Sequence, residues 1–112
     1  MPTEKNDLHR GTLDMLILKI VAAGPLHGYA IAQRLQQVSK QYFQVPQGSL
    51  YPALHRLEDQ GLIASFWGTS ENNRKAKYYR ITTQGKRHMI QERSRWESLV
   101  QAVTRVLGPA TE

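Results

Sequence analysis

The chain has 112 residues, of which 40% are hydrophobic, and this size and composition predict one small domain with a modest core. The sequence contains no cysteine, which excludes disulfides, thiolate metal sites and cysteine nucleophiles. The formal net charge of +6 arises from fifteen lysines and arginines against nine acidic residues, an excess that favours a polyanionic partner.

The positive charge is concentrated in one part of the sequence. Residues 69–95 hold eight lysines and arginines but two acidic residues, so this window accounts for the net charge. Such a patch is typical of nucleic-acid binders, although a solvated basic face has the same composition. The longest apolar run, Met15 to Ala23, is far shorter than the ~20 residues that span a bilayer. With no signal-peptide pattern at Met1, we expect a cytoplasmic protein without a membrane partner.

A first helix is predicted from Leu13 to Val21, with Thr12 as its N-cap. Apolar side chains occupy nearly every side of this segment, so nearly every side should be buried. One small domain cannot easily cover such a helix, which suggests a second copy of the chain. Gly24 and Pro25 are expected to end the helix.

A second helix is predicted to start at His27 and Gly28, and Gly28 should permit a close approach by another element. A polar connection, residues 39–47, follows it. The apolar face of the helix is expected to consist of Ala30, Ile31, Leu35 and Val38.

A third helix is predicted to have Ser49 as its N-cap and Pro52 in its first turn, where a missing N–H does no harm. It should end at Gly61, because a helix C-terminus favours a residue with left-handed backbone. Its buried stripe is expected to be Leu50, Leu54 and Leu57.

Two strand-like stretches, Leu62 to Trp67 and Lys77 to Thr82, predict a β-hairpin with a long exposed tip between them. Tyr78 and Tyr79 must face opposite sides of their strand, so one of them should be in the core. Thr82 or Thr83 then caps a final helix that runs to about residue 107.

This order of elements predicts a mainly α fold with a small β-hairpin, a winged helix-turn-helix followed by a C-terminal dimerisation helix. We divide the chain into a flexible segment (1–11), the winged domain (12–82), the dimerisation helix (83–107) and a tail (108–112). In such folds the second helix of the pair enters the major groove of DNA, and basic residues near the hairpin tip reach phosphates. The predicted DNA-binding residues are Gln47, Ser49, Tyr51, Pro52, His55, Arg56, Arg74, Lys75 and Lys77.

Three stretches carry a resemblance to a known family: LHGYAI (26–31), GSLYPALHRLEDQGLI (48–63) and RKAKYYRITTQG (74–85). In order and spacing the chain resembles the PadR family of bacterial transcription regulators over most of residues 12–107. The resemblance implies a dimeric repressor that binds double-stranded promoter DNA and needs no cofactor. Room for one C-terminal helix makes the chain similar to the short type within this family.

The final helix carries an apolar stripe that recurs every seven residues and needs a surface to cover it. We predict a homodimer in which this helix packs on its mate and on the partner's first helix. Trp96 has two open roles, packing at the interface, which we favour, or stacking of a small aromatic effector. The predicted dimerisation residues are Leu13, Leu16, Ile17, Ile20, Met89, Trp96, Leu99, Val100, Val103 and Leu107.

Two other classes of function are considered. Catalysis or metal binding by His27, His55, Glu58 or His88 is disfavoured, because no catalytic or metal-binding motif is present. A winged helix that serves only as a protein-protein interaction module is disfavoured by the basic wing. Steep salt dependence of DNA binding would exclude that alternative.

Overall fold

The computed structural model describes residues 10–109, which form four helices and a small antiparallel sheet. The helices and strands are α1 (Arg10–Ala22), β1 (Leu26–His27), α2 (Gly28–Val38), α3 (Gln47–Asp59), β2 (Ile63–Thr69), β3 (Lys75–Ile81) and α4 (Thr83–Leu107). The sheet has the strand order β1-β3-β2. The predicted class, mainly helical with a winged helix-turn-helix, is confirmed.

The sheet has a third strand that the sequence did not predict. β1 pairs with β3 through Leu26 opposite Tyr79 and His27 opposite Tyr78. Two residues are too short to give a strand pattern, and the pairing exists because the chain between α1 and α2 runs alongside β3. The two-stranded ribbon predicted from the sequence is therefore a three-stranded sheet.

The core lies where α1, α2 and α3 meet one face of the sheet. The apolar spacing correctly predicted most of it, and Tyr79 is the core member of the tyrosine pair, at 4% exposed. Val38, predicted to be buried, is 65% exposed, because it is the last residue of α2 and extends past α3. The fully or nearly fully buried side chains include Ile17, Leu18, Val21, Ile31, Leu50, Leu54, Leu57 and Ile63.

The start of α3 differs from the prediction. Pro46 is the N-cap residue, and its carbonyl accepts the Ser49 and Leu50 N–H groups at 2.9 and 3.0 Å. Ser49 is therefore inside the helix and is not its cap. Pro52 lies beyond the first turn, where its missing N–H deprives the Gly48 carbonyl of its usual helical partner.

The junction of α3, β2 and α4 is held by a compact hydrogen-bond cluster. Gly61 has φ +77° and ends α3, while the Leu62 N–H bonds back to the Leu57 carbonyl at 2.9 Å, a Schellman arrangement. Thr82 caps α4 by accepting the Gly85 N–H, and its hydroxyl donates to the carbonyls of Gly61 and Leu62. These bonds connect the two strands of the hairpin to the end of α3 and the start of α4.

Two other boundaries also shift. α1 is already helical at Arg10 and Gly11, so Thr12 lies inside it and is not its N-cap. Residues 1–9 and 110–112, parts of the predicted flexible segment and tail, lie outside the described residues. In the hairpin, the strands pair as far as Thr69 opposite Lys75, which leaves a tip of residues 70–74 that is shorter than predicted.

The last helix packs on α1 through its first turns and then extends away from the domain. α4 has 25 residues, which corresponds to about 37 Å at 1.5 Å per residue. Leu99 and Val103, in its second half, are 54% and 46% exposed. Among the described residues, no helix is both long enough and apolar enough to cross a membrane.

Candidate nucleic-acid interface

An open groove of about 670 Å³ separates α2 and α3 from the wing, which we define as residues 63–81. The helices contribute Tyr29, Gln33, Tyr51 and His55 to the groove, and the wing contributes Asn72, Arg74, Lys75, Lys77 and Tyr79. The structure thus brings together five of the predicted DNA-binding residues, which are Tyr51, His55, Arg74, Lys75 and Lys77.

Tyr51 forms the floor of this groove and is half-buried. Its ring lies directly on Gly28, where an added Cβ would be 2.7 Å from the tyrosine hydroxyl oxygen and 2.8 Å from a ring carbon. The close approach predicted for Gly28 is therefore confirmed, and its partner is the third helix. The packing fixes the hydroxyl end of the ring against α2, and Tyr51 lines the groove from this position.

The N-terminal half of α3 presents polar and small residues to solvent. Gln47, Pro52 and His55 are exposed, and Ser49 is half-buried. Gln47, Ser49 and Pro52 do not line the groove: Gln47 and Ser49 precede Tyr51 on the helix, and Pro52 lies between Tyr51 and His55. This end of α3 also carries the positive end of the helix dipole, which favours an anion.

The three basic residues of the wing that line the groove are held in different ways. Lys77 lies 3.8 Å from the Glu58 carboxylate and 5.8 Å from the centre of the Tyr79 ring. Glu58 also accepts a hydrogen bond from the Ser65 hydroxyl at 2.6 Å, which fastens the wing to α3. Arg74, in the tip, and Lys75, the first residue of β3 after it, are both exposed.

Arg56 is directed away from the groove. Its Nη2 donates to Oδ1 of Asp14 on α1 at 2.8 Å, and the Nε has no acceptor among the described residues. Burial raises the pKa of Asp14 above its usual value, and Arg56 opposes that rise. Arg56 makes no ion pair with Glu58 or Asp59, its acidic neighbours on α3, because the guanidinium crosses to α1.

Tyr29, Gln33 and Asn72 line the groove without having been predicted. Tyr29 and Gln33 are four residues apart on α2, on the side opposite the buried Ile31 and Leu35. This spacing was available in the sequence, but exposed polar faces occur on most surface helices. Only the position of the wing distinguishes this face.

A second groove, of about 410 Å³, lies between α1 and α4. Its lining is mainly apolar and includes Leu16, Met89, Ile90 and Trp96, with Lys19, Arg93 and Glu97 at its edges. Leu13 and Ile17, predicted for dimerisation, belong instead to the core of the chain, at 4% and 0% exposed. The remaining predicted dimerisation residues on α1, Leu16 and Ile20, are half-buried.

The histidines considered for catalysis do not converge. His27 caps α2 through a hydrogen bond from the Ala30 N–H to its Nδ1 at 3.2 Å, and its ring meets Tyr78 edge-on. His55 is an exposed groove residue, and His88 lies on α4 near Asp14. Across residues 10–109, no three His, Asp or Glu side chains are grouped so as to hold a metal ion.

Comparison with known proteins agrees with this architecture. Residues 17–91 match the family described as the transcriptional regulator PadR-like family. The chain is 32% identical over 97 residues to the transcriptional regulator Rv3488 of Mycobacterium tuberculosis, covering 87% of each chain.

Two solved structures have the same fold. A transcriptional regulator from Clostridium thermocellum, Cth-833, is similar with a TM-score of 0.82 and 29% identity, over 91% of this chain and 99% of that one. A PadR family transcriptional regulator from Eggerthella lenta has a TM-score of 0.76 and 36% identity, over 88% and 83%.

Proposed function

The chain belongs to the PadR-like family of transcriptional regulators, and we propose that it is a homodimeric repressor that occludes a promoter by binding a pseudo-palindromic operator in the cytoplasm. DNA binding is the activity of this family. The repressor role, the dimer, the operator and an effector are the parts that we add.

The observation that supports this proposal is the groove between α3 and the basic wing. Tyr51 and His55 come from the helix, and Arg74 and Lys75 come from the wing. We assign base contacts in the major groove to the exposed side of α3, which includes Gln47, Ser49, Pro52 and His55. We assign phosphate contacts to Arg74 and Lys75, which are exposed basic residues.

Three residues have special positions in this assignment. Tyr51 stays in the proposed DNA interface as a groove-lining residue, held in place by the packing of its ring and hydroxyl on Gly28. Arg56 is omitted from the DNA contacts, since its guanidinium is bound to Asp14. Lys77 is assigned to positioning of the wing rather than to direct phosphate binding, because Glu58 offsets its charge.

The dimer is supported by the apolar surface of α4. Beyond its contact with α1, this helix exposes Leu99, Val100, Val103 and Leu107, each more than 40%. Burial of such a stripe against a second copy is favourable at roughly 25 cal/mol per Å² of apolar surface. The groove between α1 and α4 would receive part of the partner helix.

A two-fold dimer would place its two α3 helices on one side of the duplex. We expect half-sites whose centres are ~10 bp apart, one turn of B-DNA. Trp96 lines the groove between α1 and α4, and we assign it to packing between subunits. Quenching of Trp96 fluorescence by planar aromatic compounds, lost in Trp96→Ala while the dimer persists, would assign it to an effector instead.

The proposal is tested by selection of DNA from a random pool with the purified full-length protein, followed by sequencing. A symmetric motif with the expected spacing supports a dimeric operator binder. Transcription from a promoter that carries the motif should then fall when the protein is added. Enrichment of no motif, together with DNA affinity that is insensitive to salt, would favour the protein-protein interaction module instead.

A further inference from the structure

Trp67 on β2 has no role in the interface described so far, yet it is 63% exposed. A large indole facing solvent is unusual on a monomeric surface and indicates a binding surface when polar or charged groups surround it. The question is which face of the wing it occupies and which partner that face fits.

The pairing register of β2 and β3 shows which face of the wing Trp67 occupies. Trp67 lies opposite Lys77 and Ser65 lies opposite Tyr79 in the β2–β3 pair. Residues two apart along a strand share a face, so Trp67 is on the side of Ser65, which bonds to Glu58 of α3. This is the side of the wing that faces α3 and the groove.

The neighbouring aromatic residue on the same strand has the opposite position. Phe66 pairs with Tyr78, and the two rings stack at 5.6 Å with an interplanar angle of 18°. Phe66 is 42% exposed on the outer face, away from α3. The wing therefore carries one exposed aromatic residue on each face, which supplies a matched control.

Trp67 is coupled to a basic residue that has no acidic partner. The Lys75 Nζ is 5.5 Å from the centre of the Trp67 ring, a cation–π contact. Within residues 10–109, no carboxylate lies within ion-pair distance of Lys75, whereas Lys77 has Glu58 at 3.8 Å. The indole thus holds the Lys75 ammonium in place while leaving its charge available.

We propose that Trp67 is a DNA-contacting residue, which packs its indole on the sugar-phosphate backbone and positions Lys75 on the adjacent phosphate. The proposal rests on the proposed function, since it presumes that α3 and the wing bind duplex DNA together. The apolar ring fits the deoxyribose carbons, the indole N–H suits a phosphate oxygen, and the ammonium supplies charge complementarity. Because these groups are the same at every base pair, the contact adds affinity without reading sequence.

The test compares Trp67→Leu with Phe66→Leu, by fluorescence anisotropy of a labelled duplex in the selected motif and in random sequence. Trp67→Leu should weaken binding to both duplexes about tenfold, which is the combined scale of aromatic packing and a cation–π contact. Phe66→Leu should bind like wild type. Trp67→Phe, which keeps an aromatic face, should recover most of the loss.

Coupling to Lys75 is measured with Lys75→Ala. If Trp67 positions Lys75, the loss caused by Trp67→Leu should be smaller in the Lys75→Ala background than in wild type. Equal losses in both backgrounds would overturn the positioning role. A loss confined to the selected motif would overturn the backbone contact, because it would indicate base recognition.

A spectroscopic measurement covers the case in which Trp67→Leu fails to fold. The chain has two tryptophans, so the emission of wild type minus that of Trp67→Phe isolates Trp67. This difference should change on addition of duplex DNA, and an unchanged difference would overturn the contact. Concentration-dependent self-association that disappears in Trp67→Leu would identify a second copy of the chain as the occupant and would also overturn it.

Failure of this inference is distinguishable from failure of the proposed function. If wild type and Phe66→Leu bind duplex DNA and Trp67→Leu binds equally well, only the role of Trp67 is refuted. If wild type itself binds no duplex in a salt-dependent manner, the proposed function fails, and Trp67 has no DNA to contact.

Discussion

Arg56 of α3 and Asp14 of α1 form an ion pair at 2.8 Å across 42 residues of sequence. Their side chains are 27% and 14% exposed, so the pair is only partly screened by solvent. α1 also packs against α4, the helix assigned to dimerisation. One polar contact therefore joins the DNA-facing helix to the helix that packs on the dimerisation surface.

We expect Arg56→Ala to lower the free energy of unfolding by about 1–3 kcal/mol, since it leaves the Asp14 carboxylate half-buried without its donor. Asp14→Asn should have a smaller effect, because an amide oxygen still accepts from the guanidinium. Urea unfolding of the two single variants and the Asp14→Asn/Arg56→Ala double variant gives the coupling energy. Additive effects would show that the negative charge of Asp14 contributes no interaction energy with Arg56.

Burial of Asp14 also makes the stability depend on pH, with a known sign. Burial raises the pKa of Asp14 above its usual 3.8, against the lowering effects of Arg56, Arg10 and His88. The folded state therefore binds the proton more tightly than the unfolded chain, and this residue's contribution to stability falls as pH rises through the window from about 4 to the raised pKa.

The measurement is the difference in unfolding free energy between wild type and Asp14→Asn across that window. Wild type should gain stability relative to the variant as the pH is lowered towards 4. The difference removes most contributions from other titrating groups, which are common to both proteins. A relative loss of stability on acidification would mean that Arg56 outweighs burial.

Two glycines in helices should respond oppositely to alanine. A Cβ on Gly85 would lie 2.0 Å from the Leu62 carbonyl oxygen, a backbone atom that cannot move aside. Gly85→Ala should therefore cost at least about 2 kcal/mol. Gly48 has nothing within 4 Å of its added Cβ, so Gly48→Ala should stabilise α3 by up to about 1 kcal/mol. Thermal unfolding of both variants tests whether Gly85→Ala lowers the stability and Gly48→Ala raises it.

The proposed dimer surface on α4 is tested by introducing charged residues into it. Leu99→Asp and Val103→Asp together should give a monomer, because burial of two carboxylates in an apolar interface is costly. The monomer should no longer bind the operator tightly, since its single α3 contacts one half-site. Sedimentation velocity reports the assembly, and Gln101→Asp, elsewhere on the same exposed helix, is the control for added charge. An intact dimer in the double variant would refute the interface.

The wing charges are tested through salt dependence. Each phosphate contact that is lost should flatten the plot of log affinity against log salt by about 0.9. Arg74→Ala/Lys75→Ala should therefore reduce the slope and weaken all sequences alike. Arg80→Ala/Lys86→Ala removes the same charge from the outer face of the wing and the start of α4. Equal slopes in the two double variants would show that the change in salt dependence reflects net charge and not phosphate contacts by Arg74 and Lys75.

Several features of the fold could be predicted from sequence because they depend on neighbours along the chain. The apolar spacing of Leu50, Leu54 and Leu57 indicates one buried face whatever the helix packs against. Gly61 is recognisable because a left-handed position at a helix end favours glycine. Thr82 was a candidate cap for the same local reason, and the structure selects it over Thr83.

The start of α3 could not be predicted so well, although it is also local. Ser49 is a better cap by residue type, but the helix begins at Gln47. The Pro46 carbonyl accepts the Ser49 and Leu50 N–H groups, so the additional turn forms without a side-chain cap. The preference for a good cap is worth only roughly 1 kcal/mol, so residue type alone does not decide where this helix begins.

The helices and the hairpin are readable from the amino-acid sequence, because periodicity and turn chemistry act over a few residues, and three sequence stretches carry the family resemblance. The contact of Arg56 with Asp14, the pairing of β1 with the sheet and the position of Trp67 on the sheet face towards α3 are visible in the folded chain alone. Each of these depends on where distant segments cross, and an arginine or tryptophan has the same local signal on either face of its element. The partner that each side chain meets is fixed by packing of the whole core.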